Sequence, residues 1–244
     1  MKNGFKKIDA KSLHYLPASD MHPADTYFHF SFANYHNPDR VNFGVLRVLN
    51  DDDIKPHSGF GKHPHRDMEI ITYLIRGELT HWDNVTDVEE TLTKGDVQTI
   101  SAGSGVWHSE QNKADEWIHL LQIWIMPPSN GLPVRYNKHH FNDKERQNRL
   151  LHIVGNNSNK DQVPLYIQQD ANIYVSELTD KNAVVKYSLK EGRQGYIYNF
   201  AGSLNIKNLP TLAKQDSIEI TAPMELEFSL AGETAHFIII EMSF

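Results

Sequence analysis

HPHRDMEIITYLIRGELTHWD, residues 63–83, and KGDVQTISAGSGVWHSEQN, residues 94–112, carry the decisive pattern of this chain. Val, Ile and Tyr dominate the strands there, which stop at Gly, Asp and Asn, as half-buried strands and their turns require. On a strand, side chains two apart share a face. His63 and His65 therefore aim the same way, and Pro64 limits the backbone between them. The preceding Gly59-Phe60-Gly61 reads as a loop. Further on, His108 and Glu110 form a second pair at the same spacing. Carried on strands that face each other inside a barrel, the pairs supply four converging donors, three imidazoles and one carboxylate. Such donors suit iron, manganese, cobalt, nickel, copper or zinc, and the histidines disfavour calcium. Tetrahedral zinc would be saturated by four protein ligands, whereas a six-coordinate ion would keep two places open.

Outward from these blocks, short apolar runs recur at 41–49, 119–125, 194–202 and 236–242. Helical periodicity is scarce, with 142–151 the best candidate for a short helix. The expectation is an all-β chain of antiparallel sandwiches or barrels. Residues 77–103 line up with 202–223, and each stretch then runs into a hydrophobic strand, so one β-unit is used twice. The Pro- and Gly-rich MPPSNGLP, 126–133, reads as the boundary. It predicts a metal-binding unit over 1–130 and a second unit over 131–244. Counting from Gly202 and Asp216 puts Ser188, Lys190, Phe228 and Leu230 where the first half has its four donors. The second unit is thus expected to carry no metal.

The chain has 244 residues and no cysteine, which excludes disulfides, thiolate metal sites and cysteine nucleophiles. Its 24 Lys+Arg against 31 Asp+Glu give a net charge of −7, with no electrostatic basis for direct nucleic-acid binding. No run approaches the length of a membrane span, and the N-terminus lacks the apolar core of a secretory signal, so a cytoplasmic protein without membrane association is expected. Gly103 and Gly105 precede the His108 strand as a tight backbone path. No P-loop Lys-Ser/Thr follows them, and no Gly-x-Ser-x-Gly elbow is present.

The two blocks together resemble the pirin family of bicupins, most densely over 57–112 and in order and length over most of the chain. The resemblance implies two cupin (jelly-roll) barrels in tandem, with a metal in the N-terminal one only. It implies His63, His65, His108 and Glu110 as ligands, and Fe(II) as the metal. Some pirin-like proteins act as quercetin 2,3-dioxygenases, which open a flavonol ring with dioxygen and release carbon monoxide. Others are described as transcriptional co-regulators that bind protein partners. The implied partners are therefore a small flavonol-like aromatic substrate and O2. The alternative is a non-enzymatic module whose metal senses redox state and alters a protein-binding surface. Where the family usually has Gly after HPHR, this chain has Asp67 and then Met68; Thr99-Ile100 replaces a usual Trp-Met pair, and Asn84 a usual Ser.

Around the four donors, Glu69 shares the parity of His63 and His65 and is the rival acidic ligand. Glu110 is placed to accept a flavonol hydroxyl proton as a catalytic base. His57 and His81 flank the motif as candidates to orient the ligand rings. Arg66 and Gln98 read as hydrogen bonders at the barrel rim. His22, His29, His36, His139 and His140 read as surface or packing residues, and Trp107, Trp117 and Trp124 as core. Asp51-Asp52-Asp53 reads as a solvated turn.

Overall fold

A computed structural model of the chain describes residues 4–244. The strands of the first half are β1 (Phe5–Ile8), β2 (His14–Leu16), β3 (Ala24–Phe28), β4 (Leu46–Ile54), β5 (Ser58–His65), β6 (Glu69–Arg76), β7 (Glu78–Asp83), β8 (Glu89–Thr93), β9 (Asp96–Ser101), β10 (Val106–Asn112), β11 (Ile118–Ile125) and β12 (Arg135–His140). The second half carries α1 (Asp143–Arg146), β13 (Leu151–Val154), β14 (Ala171–Leu178), β15 (Val185–Leu189), β16 (Arg193–Ile206), β17 (Asp216–Ile220) and β18 (Met224–Ser243). The fold is nearly all β and divides into two units. All pairings between these strands are antiparallel. No helix among the described residues is long and apolar enough to cross a membrane.

One unit comprises His14–Phe141 and Leu165–Gln169. It is built from a seven-stranded sheet, β12-β9-β6-β11-β4-β3-β2, and a four-stranded sheet, β5-β10-β7-β8. Their inner faces bury Ile54, Leu74, Leu79, Leu92, Ile118 and Leu120 in one apolar cluster. The other unit takes the segment ending at Leu13 with Asn142–Pro164 and Asp170–Phe244. Its sheet runs β1-β17-β16-β18-β14-β13, with β15 on β18. Here the long, bent β16 and β18 do the work of β6 with β7 and of β10 with β11, and they change register where they bend, between Asn199 and Ala201 and between Gly202 and Leu204.

The division therefore differs from the one expected at 130/131. Residues 135–140 hydrogen-bond to β9 inside the first unit, and β1 adds to the edge of β17 in the second. Composition marks the Pro- and Gly-rich segment as a turn, but strand pairing decides membership. The helix expected over 142–151 is a single turn, Asp143–Arg146. Glu145 Oε2 accepts from the Asn142 backbone N–H at 2.6 Å and closes its start, while Asn148, at φ 55°, lies in the left-handed region just beyond.

Candidate metal centre

β10 lies between β5 and β7 in one sheet, and His108 pairs directly with His63 on β5 and with Asp83 on β7. The expected pairs thus sit side by side on neighbouring strands, not across a barrel. Gly59, Phe60 and Gly61 belong to β5 itself, and a register shift opposite His108/Glu110 bulges the strand just before His63. Such an extra residue re-aims the side chains that follow it. The rings of His63, His65 and His108 come together with centroids 4.8, 4.4 and 4.7 Å apart. One nitrogen from each lies within 4.8 Å of the others, a group able to hold a metal ion.

Three features fit these rings to a metal. The Nδ1–H of His63 donates to the Gly61 carbonyl at 2.7 Å, which leaves Nε2 with its lone pair free. Both nitrogens of His108 are buried without a hydrogen-bond partner, and a buried polar atom left so is costly unless something takes its lone pair. Burial, reinforced by neighbouring imidazoles, pushes His65 and His108 down to about 3. Both are then neutral at pH 7, the protonation state that binds cations.

Glu110 is buried beside this group but outside the three-nitrogen cluster. Its Oε1 accepts from Thr72 Oγ1 at 3.1 Å and Gln98 Nε2 at 3.4 Å, and its Oε2 from Gln122 Nε2 at 2.8 Å. Thr72 stands opposite both Gln122 and Gln98, and Gln122 opposite Asn50. A row of four polar side chains therefore crosses β4, β11, β6 and β9. Glu69 lies apart from the cluster. Its carboxylate accepts from Ser101 Oγ at 2.5 Å and the Gln168 N–H at 3.3 Å, and burial raises it.

The flanking histidines separate cleanly. His57 is a solvent-side residue paired with Asp115 at 2.7 Å. His81 is fully buried, its ring 5.7 Å from that of His108 and parallel to Tyr136 at 5.1 Å. Its Nε2–H donates to Asp83 Oδ2 at 2.8 Å. Burial works against ionising Asp83, but the Thr86 N–H, His81 and the Val85 N–H outweigh it and hold the carboxyl below its ordinary range.

Several residues stand elsewhere than their pattern implied. Asp51 and Asp52 are buried in β4 rather than turned to solvent. Asp51 takes the His119 ring nitrogen at 2.6 Å, and Asp52 accepts from Thr26 Oγ1 at 2.5 Å. Burial, with Asp51 and Glu110 nearby, pushes Asp52 up to about 7. Gln98 is fully buried, not at a rim, whereas Arg66 bonds the Ser104 carbonyl at the surface. Trp107 and Trp117 are exposed. Trp124 packs edge-on against His65 at 4.7 Å, its indole Nε1 buried and unpartnered. Polar residues at interior parity on β6, β9 and β11 were the sequence signal for the Glu110 row.

Residues 11–125 match the pirin family, and residues 153–242 match the quercetinase C-terminal cupin domain. A pirin-like protein of Caulobacter vibrioides is 36% identical over 231 residues, 91% of this chain and 98% of its own length. The chain belongs to the pirin family. A quercetin 2,3-dioxygenase of Escherichia coli K12 is 36% identical over 187 residues, 76% of this chain and 78% of its own. The crystal structure of the bacterial pirin YhhW in complex with nickel(II), from Escherichia coli, matches with a TM-score of 0.87 at 30% identity, covering 98% of this chain and 99% of that one. The stretch after His-Pro-His-Arg takes a backbone turn that suits glycine. Asp67 sits at φ 50°, where glycine is favoured, and its carboxylate accepts from the Gly131 N–H at 2.6 Å.

Among the described residues of the second unit, the positions that match the four donors carry apolar or aromatic side chains. Gly77 and Gly202 anchor the comparison. Five residues before them stand Thr72 and Ile197, and Ile197 pairs with Ile239 and Ile218 where Thr72 pairs with glutamines. Four residues after them stand His81 and Ile206, opposite Glu110 and Phe228 respectively. Two residues before Phe228, Leu226 faces Tyr187 as His108 faces His63. The equivalents of His63, His65, His108 and Glu110 are thus Tyr187, Leu189, Leu226 and Phe228, all packed in the unit's apolar cluster. Of the positions reached by counting, only Phe228 recurs, and in another role, because the path from Tyr187 to Ile197 is one residue longer than that from His63 to Thr72, and the path from Asp216 to Leu226 is two residues shorter than that from Asp96 to His108.

Proposed function

We propose that the chain is a metal-dependent dioxygenase of the quercetin 2,3-dioxygenase type, with Fe(II) held by His63, His65, His108 and Glu110. The observation that carries this reading is the three-imidazole group, in which both nitrogens of the buried His108 are unpartnered. Relatives named for this activity support it. When bound, the metal would supply charge stabilisation for a substrate oxygen and a means of activating dioxygen.

The protein's part follows from its own side chains. His63, fixed by the Gly61 carbonyl, would hold the ion through Nε2. His65 and His108 are held neutral and need lose no proton to bind at neutral pH. Glu110 follows His108 by two residues, so a rotation away from one of its present donors would carry a carboxylate oxygen to the group. There it would also accept the proton of a flavonol hydroxyl. Trp124, edge-on to His65, would offer an apolar wall to a flat aromatic ligand.

The test is aerobic incubation of Fe(II)-loaded protein with quercetin. Flavonol absorbance is expected to disappear with release of carbon monoxide, and the reaction to be lost in His63→Ala and His108→Ala. No turnover with iron, manganese or nickel in protein that binds the metal would reject the oxygenase and favour a redox-sensing module that binds protein partners.

A further inference from the structure

Each imidazole bound to a metal spends one nitrogen on the ion and carries a proton on the other, and that N–H needs an acceptor. For His63 the Gly61 carbonyl fills this role. His108 has no such partner in its own surroundings, since both ring nitrogens are unbonded. One neighbour has the opposite need. The Nε2–H of His81 is committed to Asp83, and its Nδ1, left as a bare lone pair, is buried and unbonded.

The tautomer of His81 is imposed from behind. Asp83 Oδ1 accepts from the backbone N–H groups of Val85 and Thr86, each at 2.8 Å, and so the carboxylate is pinned with Oδ2 toward His81. The parallel face of Tyr136 fixes the plane of the His81 ring. At 5.7 Å, the His81 and His108 centroids stand about half an ångström beyond an in-line imidazole–imidazole hydrogen bond. A small turn of either ring closes that distance. Asp83 and His108 are also directly paired across β7 and β10, so both ends of the chain of groups are built on one rigid ladder.

We propose that His81 is a positioning residue of the metal centre: its Nδ1 accepts the hydrogen bond of the non-coordinating N–H of His108, completing the line Asp83, His81, His108, metal. This rests on the reading of His108 as a ligand. Its effect is to fix which nitrogen of His108 faces the ion and to make that nitrogen a better donor. His81 itself need touch neither metal nor substrate.

The experiment titrates full-length protein with Co(II), whose visible absorption reports its ligand field, in competition with a chelator. Wild type is expected to bind one Co(II) per chain. His81→Leu fills the same space without an acceptor and is expected to bind 10- to 100-fold more weakly, the usual loss when an outer partner is removed. Asp83→Asn keeps the shape but offers an amide to His81, reverses its tautomer and should weaken binding similarly. His81→Asn restores an acceptor near the Nδ1 position and should recover most of the loss. Unchanged affinity in both His81→Leu and Asp83→Asn, or a His81→Asn as weak as His81→Leu, overturns the proposal. If His81→Leu does not fold, Asp83→Asn against wild type decides it. Absence of Co(II) binding by wild type, or full binding by His108→Ala, instead overturns the ligand reading beneath it.

Discussion

Glu110 accepts hydrogen bonds from Thr72, Gln98 and Gln122 with one buried carboxylate. Glu110→Gln would set an amide NH2 against at least one of those donors, and a buried donor without an acceptor costs about 1–3 kcal/mol. Urea unfolding should show a loss of that order with the fold retained. Turnover should fall as well, because the amide cannot take a substrate proton; full turnover at full metal content would remove Glu110 from the chemistry. At this scale the grouping of the three histidines was legible, because His63 with His65 and His108 with Glu110 are two donor pairs at spacing two that frame one hairpin. The partners of Glu110 were not. Gln98 read as a rim hydrogen bonder and Gln122 interrupts an apolar run, and nothing local joins them to Thr72 until register sets the three in one row.

Among the elements, β5 shows what the strand pattern conceals. Read as a loop because of its glycines, Gly59-Phe60-Gly61 is paired backbone lying against β10. A Cβ on Gly59 would stand 2.3 Å from the Glu110 carbonyl oxygen and 2.7 Å from Gln111 Cα, both on that neighbouring strand. Gly59→Ala must therefore push β5 off β10 beside Glu110. A loss of about 1–3 kcal/mol and a weaker Co(II) affinity are expected, measured by thermal unfolding and metal titration. Gly61→Ala meets nothing within 4 Å and should change neither by much. Equal effects from the two substitutions would refute the close-approach argument. Strand identity was legible from β-branched and aromatic content, but the role of a glycine depends on the strand opposite, which local sequence does not name.

For the whole chain, tandem repetition was legible and the partition was not, since the edge strand β1 and the hairpin partner β12 are assigned by hydrogen bonding across long sequence separations. The sum of buried titratable groups likewise belongs to the molecule as a whole and predicts its response to acid. Burial holds His29, His65 and His108 at about 3 in the metal-free fold, against an ordinary 6.5. The unfolded chain takes up their three protons as pH falls through 6.5 and the folded chain does not, so their stabilisation is present above 6.5 and lost on the way to 3. Asp52 acts in the other direction. Its carboxyl is near 7 when folded and 3.8 when unfolded, so the folded chain gains a proton first and this contribution, complete below 3.8, is lost as pH rises through 7. Asp52→Asn keeps an oxygen for the Thr26 hydroxyl and removes that offset. Its stability should therefore rise with pH more steeply than wild type between 4 and 7, by at most about 1.4 kcal/mol per pH unit, and run parallel above 7. Urea unfolding of metal-free protein across this range measures both curves; parallel curves throughout would mean that Asp52 ionises in the folded chain as freely as in water.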